Sequence, residues 1–205
     1  MFEYISMGEL LKLGIHPESI NFSLKADERL VSDYQNQISA ASKAAWGRFW
    51  TKNVSDRVNQ SGLYTHIART TARAARILGI KTAPKLGLLD GFAMGKIKYL
   101  GYCWENEAGQ TCVGLDESWF GDVTKEIVEA GGRIPAFLRT EISFVVSEEV
   151  FHVYIREANP ALAAQNIQLN ASGKIEDYRN SSGEIAAKEF AGLYVASENR
   201  ESLDE

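Results

Sequence analysis

One segment constrains the fold of this chain more than any other. It is the apolar run PAFLRTEISFVVSEEVFHVYIREAN, which extends from Pro135 to Asn159. Proline suits the first turn of a helix, and Pro160 disfavours helical backbone at the residue before it, so the sequence predicts one helix over this run. Apolar side chains surround the polar groups near its middle, which indicates that much of the helix is buried. They are Phe144, Val145, Val146, Val150, Phe151 and Ile155.

Three polar side chains interrupt this apolar helix. Glu148 and His152 are four residues apart and share a face, whereas Glu149 lies about 100° around the helix from Glu148. A buried carboxylate without a partner typically costs several kcal/mol, so something must compensate these groups. Either the glutamates face water or pair with arginines such as Arg139 or Arg156, with His152 as a hydrogen-bonded core histidine, or the groups belong to a metal site.

Composition places the chain among ordinary globular proteins. Its 205 residues are 45% hydrophobic and 24% charged, which is typical of one compact domain or of a domain with an elaboration. The formal net charge is −5, so a nucleic-acid surface would need a local basic cluster. The densest basic segment has Arg69, Arg73 and Arg76 at helical spacing, which we interpret as a solvated helix face. We therefore expect no nucleic-acid partner.

The sequence also predicts no membrane association. No run approaches the roughly 20 apolar residues that a membrane-spanning helix needs. The first residues include Glu3 and Glu9 and lack an uninterrupted apolar segment of signal-peptide length. These features predict a soluble protein with a cytoplasmic location.

Several further helices are predicted from periodicity and capping. Apolar residues recur with a period of about 3.6 over 26–50, and Ser61 is suited to cap a second helix that stops at Gly79. The segment 161–183 has weak periodicity and several turn formers, so it is predicted to be mostly loop. Ser182 is suited to cap a last helix.

A small sheet is predicted between these helices. Lys85 to Leu89 forms a short apolar strand, and IKYLGYCWENEAGQTCVGLDESWF forms two strands joined by a turn at Gly109. Cys103 and Cys112 lie on either side of this turn. One loop length would place them opposite each other, so a disulfide stays possible, but free buried thiols are the usual state in a chain without an export signal.

These elements and their motifs come in a recognisable order. A helix is followed by the strand PKLGLLD, a hairpin ending in VGLDESW, a long helix carrying EEVFH and a later helix carrying EIAAKEF. This order resembles that of a minigluzincin, a small metallopeptidase of the zincin fold. The resemblance implies an α+β fold, in which a zincin-like domain over 61–205 packs a small mixed sheet on the active-site helix. A helical N-terminal elaboration over 1–60 precedes it.

The resemblance also implies a set of site residues. In that family the active-site helix reads H-E-x-x-H, whose histidines bind zinc and whose glutamate is the general base, and a glutamate on a later helix is the third ligand. Glu149 thus corresponds to the base, and His152 and Glu184 correspond to ligands. Glu148 stands where the first histidine belongs. Because zinc accepts carboxylate oxygen, the three could still bind zinc, with the preference shifted toward manganese or iron(II).

Two functions follow as expectations. The first is metal-dependent hydrolysis of a polypeptide, in which the strand near 113–119 runs along the cleft and pairs by its edge with an extended substrate. Tyr178 could donate a hydrogen bond to the oxyanion, as tyrosines do in some zincins, whereas Tyr194 is better suited to core packing. The second is a catalytically inactive zincin-like module that binds a protein partner and holds no metal.

Overall fold

The computed structural model describes residues 8–90, 99–173 and 175–201, and these residues form a mostly helical α+β fold. The helices are α1 (Gly8–Lys12), α2 (Glu28–Trp46), α3 (Lys52–Gln60), α4 (Leu63–Ile77), α5 (Glu117–Glu129), α6 (Ala136–Ala158), α7 (Pro160–Ala171), α8 (Ile175–Arg179) and α9 (Ser182–Glu201), and the strands are β1 (Lys85–Leu89), β2 (Gly101–Glu105) and β3 (Thr111–Asp116). The α+β class is confirmed, while the zincin-like fold stays a prediction. None of the described helices is long and apolar enough to cross a membrane.

The described strands form one three-stranded sheet in the order β1-β3-β2. β3 pairs in parallel with β1 and antiparallel with β2, so both of its edges are occupied. The prediction that the strand near 113–119 offers an edge to the cleft is therefore wrong. β3 ends at Asp116, whose side chain accepts a hydrogen bond from the Trp119 backbone N–H at 2.9 Å and begins α5. Within the described residues β2 is paired on one side only, and its other, free edge lies beside the cleft.

The long helix α6 lies at the centre of the fold, as its apolar sequence predicts. It packs against α4, α9 and the sheet, and its apolar side chains belong to the main core. α9 approaches it through small residues, because Ala186, Ala187 and Ala191 are fully buried. Because of this close contact, the first turn of α9 lies beside the middle of α6.

The N-terminal helices share the same core. Leu10, Tyr34 and Ile38 belong to one cluster of buried residues together with Phe151 and Phe190. The helix predicted over 26–50 is α2, and it ends earlier than expected because the backbone turns after Trp46. The periodicity did not reveal the short helices α1 and α3. The division of the chain at residue 60 stays a prediction.

Arg73 does not lie on a solvated helix face, contrary to the interpretation of the sequence. It is 7% exposed. Its guanidinium donates hydrogen bonds to the carbonyl oxygens of Phe22 and Leu24, pairs with Glu201, and lies 5.4 Å from the centroid of the Tyr194 ring. Arg73 therefore ties the segment before α2 to the end of α9.

The segment 161–183 is not mostly loop, because it contains α7, α8 and the start of α9. Pro160 occupies the first turn of α7, and the side chain of Asn159 accepts a hydrogen bond from the Leu162 backbone N–H at 3.2 Å. The sequence hides α7 because its apolar and amide residues show little amphipathic contrast. As described below, both kinds of side chain face the same cavity.

The hairpin of β2 and β3 turns at Gly109, whose φ of 71° is a left-handed value that favours glycine. Its register places Cys103 opposite Val113 and Cys112 opposite Trp104. Both cysteines are free, as predicted for this chain. Burial raises the pKa of the Cys103 thiol to about 12, which keeps it in the protonated form.

Glu189 offers a test of how the N-terminal segment is attached. Its carboxylate is fully buried and accepts hydrogen bonds from the backbone N–H groups of Glu9 and Leu10, at 3.2 Å and 2.7 Å. Glu189→Ala leaves these donors without a partner, so the free energy of unfolding should fall by about 1–3 kcal/mol in urea denaturation. Glu126→Ala, at an exposed position of α5, should change it much less. Equal effects of the two substitutions would contradict this attachment.

Candidate metal centre

A cavity of about 940 Å³ lies between α6, the free edge of β2 and the segment from α7 to α9. Its size is at the upper end of the range for pockets that enclose small ligands. One face of α7 forms a wall, since residues at helical spacing contact the cavity. They are Ala163, Asn166, Ile167, Asn170 and Ala171.

The structure brings the three predicted ligands together on another wall of this cavity. Glu148 and His152 lie one turn apart on α6, and Glu184 lies in the first turn of α9. One potential ligand atom from each residue lies within 4.8 Å of the others. These residues could therefore hold a metal ion.

The contact between His152 and Glu184 is well suited to a shared metal. Nε2 of His152 and Oε1 of Glu184 are 3.2 Å apart, but this buried oxygen has no hydrogen bond of acceptable geometry within the described residues. A zinc ion at about 2.0–2.1 Å from two tetrahedral ligands separates them by about 3.3 Å. Both the spacing and the unsatisfied oxygen fit a donor set that shares a cation.

Glu149 lies beside the ligand cluster and is 8% exposed. It packs against Gly101, where an added Cβ would lie 2.5 Å from Cγ of Glu149 and 2.9 Å from its Oε1. β2 can pass this carboxyl only because residue 101 is glycine. Gly101 is thus a site residue that the sequence analysis missed, although a glycine inside a predicted strand is a general signal of close approach.

Tyr178 lines the same cavity, and its role as an oxyanion donor stays a prediction. Its hydroxyl interacts with the Glu184 carboxylate and helps to lower the pKa of Glu184, and its ring packs edge-on against Tyr99 with centroids 5.6 Å apart. It is thus also placed to orient this carboxylate. Tyr194 is fully buried and contacts Phe190 and Arg73, which agrees with a packing role.

The charges of His152 and Glu184 stabilise each other. Burial by itself lowers the pKa of His152, but the carboxylates of Glu184, Glu149 and Glu148 outweigh it and raise the pKa to about 9. Burial by itself raises the pKa of Glu184, but the contacts with His152 and Tyr178 outweigh it, so the pKa falls below its ordinary value. Without a metal, this pair is an imidazolium and a carboxylate.

In the two adjacent glutamates on α6, by contrast, the protonated and neutral form is favoured. Burial raises the pKa of Glu148 to about 7, and it raises the pKa of Glu149 to about 8. The positive charge of His152 offsets only part of this effect. The site therefore takes up protons when no cation is present.

The other two histidines lie outside the cavity. Nε2 of His66 is 3.1 Å from both the Arg139 carbonyl oxygen and the Ser143 hydroxyl, so His66 joins α4 to α6. His16 is exposed beside Glu18. Both positions agree with the structural and surface roles predicted from the sequence.

Comparisons with protein-family models, with curated proteins and with solved structures give no significant match. The resemblance to minigluzincins therefore stays a prediction that rests on the motifs. The donor set itself, which combines one imidazole with two carboxylates on a cavity wall, is suited to hold a metal ion.

Metal binding should be linked to proton release. A nitrogen ligand binds metal only after losing its proton, and the pKa of His152 is about 9, so a metal competes with a proton at neutral pH. Zinc affinity should rise with pH by up to roughly tenfold per pH unit until about pH 9, and more steeply below about pH 7, where metal binding also displaces a proton from Glu148.

Competitive titration with a chromophoric chelator measures this affinity, and calorimetry in buffers of different ionisation enthalpy counts the protons released. The matched control is His16→Ala, which removes an exposed histidine and should leave the dependence unchanged. Zinc affinity that is independent of pH would contradict the role of His152.

Proposed function

We propose that this protein is a metal-dependent hydrolase of polypeptides, with Glu148, His152 and Glu184 as the metal ligands. The observation that supports this most strongly is their convergence, since α6 and α9 bring them to the wall of a large cavity. A third carboxyl, that of Glu149, lies in the same cavity outside the ligand set. This is the usual distribution of roles in a metal-assisted hydrolytic site.

The donor set is compatible with several divalent metals. One imidazole and two carboxylate oxygens suit zinc, and the two carboxylates shift the preference toward manganese or iron(II). When bound, the metal supplies positive charge that polarises a carbonyl oxygen, acidifies water and lowers the pKa values of neighbouring carboxyls. Tyr178 would orient Glu184 through the contact between its hydroxyl and the carboxylate.

Glu149 would transfer the proton in this reaction. In its ionised form it accepts a proton from the attacking water, whose oxygen bonds to the carbonyl carbon of the substrate. The C–N bond then breaks, and Glu149 returns the proton to the leaving nitrogen. Gly101 contributes by leaving room for the Glu149 carboxyl between α6 and β2.

The free edge of β2 would hold the substrate in an extended conformation. The Asp116 N–H donates to the Leu100 carbonyl, and the Asn106 N–H donates to the Gln110 carbonyl. Hydrogen-bonded pairs alternate in an antiparallel ladder, so the backbone groups of Gly101, Cys103 and Glu105 point away from β3. An added strand could pair with the backbone groups of Gly101, beside Glu149.

A specific observation also favours a second function, that of a catalytically inactive module that binds a protein partner. His152 and Glu184 lie 3.2 Å apart as an ion pair, and the pKa values of Glu148 and Glu149 are raised to about 7 and about 8. Protons could thus neutralise the cluster without a metal. The same cavity would then serve to bind a polypeptide.

Metal content separates these two functions. Protein purified without chelators and without metal-affinity resin should carry close to one equivalent of a divalent metal, measured by elemental mass spectrometry. His152→Ala should lose this metal because it removes the imidazole ligand. His16→Ala should retain it. A wild-type protein without metal that also fails to bind added zinc, manganese or iron(II) would favour the inactive module.

Glu149→Gln tests the proposed base. The substitution keeps the shape of the side chain but removes proton transfer, so hydrolysis of a mixed peptide library should fall by roughly 10²–10⁴-fold. Metal content should stay unchanged, since Glu149 is not a ligand. Peptide cleavage that continues undiminished in Glu149→Gln would exclude the proposed mechanism.

A further inference from the structure

Arg156 lies on the wall of the same cavity, one helical turn beyond His152 on α6. Its Nη2 donates a hydrogen bond to the carbonyl oxygen of Cys103 at 3.2 Å. Cys103 is one of the residues of β2 whose backbone groups point away from β3. Arg156 therefore reaches across the cavity to the edge that would hold the substrate.

The guanidinium of Arg156 can donate hydrogen bonds to a further partner. It carries a permanent positive charge and five N–H donors. Within the described part of the chain, no carboxylate forms an ion pair with it. A cation on a cavity wall that donates to a neutral carbonyl oxygen and has no ion-pair partner among the described residues is suited to bind an anionic group of a ligand.

The contact with Cys103 also limits how far an added strand can continue. Beyond Gly101, a continuing peptide would bring an N–H that must share the Cys103 carbonyl oxygen with the guanidinium of Arg156. A carboxylate brings only acceptors, so it can accept hydrogen bonds from both the Cys103 N–H and the guanidinium. The chemistry of this position matches a carboxylate better than a continuing main chain.

The spacing places this position close to the site of cleavage. Residues four apart on a helix are about 5–6 Å apart, and an extended peptide advances about 3.4 Å per residue. Arg156 is four residues from His152, and Cys103 is two residues from Gly101, which contacts Glu149. Both measures correspond to about two residues of an extended substrate.

On the basis of the proposed hydrolase function, we propose that Arg156 binds a carboxylate of the substrate about two residues from the cleaved bond. The shared acceptor at Cys103 favours the C-terminus of the peptide as the source of this carboxylate. An acidic side chain carries the same chemical group and is distinguished by the experiment below. The substrate class is thus short peptides, or peptide ends, that are shortened from the C-terminus.

The test measures peptide binding separately from cleavage. Three fluorescent peptides have the same tetra-alanine core: one ends in a free carboxylate, one in an amide, and one in an amide with glutamate as the final residue. Dissociation constants are measured by anisotropy on the zinc-loaded Glu149→Gln protein, in which turnover is slow. The free acid should bind roughly ten- to a hundredfold more tightly than the plain amide, as expected for charge-assisted hydrogen bonds.

Variants at Arg156 test whether the preference for the free acid over the amide depends on its guanidinium. Arg156→Gln should remove it, and Arg156→Lys should retain part of it, since lysine keeps the charge but loses the planar fork. Arg139→Gln, an exposed position on the same helix, should behave as the parent protein. Thermal midpoints of all variants show whether the fold is intact, and Arg156→Lys keeps the test decisive if Arg156→Gln unfolds.

Each outcome bears on the proposal. Equal binding of acid and amide, no binding of any peptide, or a preference that survives Arg156→Gln overturns it. Tight binding of the glutamate amide supports carboxylate recognition and overturns the assignment to a chain end. Selective binding of the acid without cleavage by the wild-type protein contradicts the hydrolase function but leaves the carboxylate site intact.

Discussion

The close packing of α9 against the middle of α6 is the contact on which the rest of the site depends. α6 is buried along most of its length and nevertheless carries Glu148, Glu149 and His152. Buried charges must be compensated, and Glu184 in the first turn of α9 compensates the charge of His152. Small residues on α9 allow the two helices to approach closely enough for this contact.

The negative charge of the resulting cluster can be neutralised in two ways. Protons can balance it, because burial raises the pKa values of Glu148 and Glu149 and the carboxylates raise that of His152. A divalent cation can balance it as well, because it attracts the same carboxylates and displaces the same protons. A histidine in place of Glu148 would lessen this competition by removing one negative charge.

Contacts distant from the cavity hold α9 in position. Glu189 caps the short helix α1, and Arg73 joins the segment before α2 to the end of α9. Both side chains are buried, and both use a charged group to satisfy backbone atoms of the N-terminal part of the chain. The described N-terminal helices therefore support α9, which carries Glu184, although none of their residues belongs to the Glu148, His152 and Glu184 cluster.

The sequence by itself determined the elements whose signals are local. The prolines set the limits of α6, helical spacing placed Glu148 and His152 on one face, and glycine marked the hairpin turn. Tertiary structure alone decided the central place of β3, the helical state of α7, the burial of Arg73 and the reach of Arg156 to Cys103. These depend on which surfaces meet, and periodicity within one segment does not encode the partner that another segment provides.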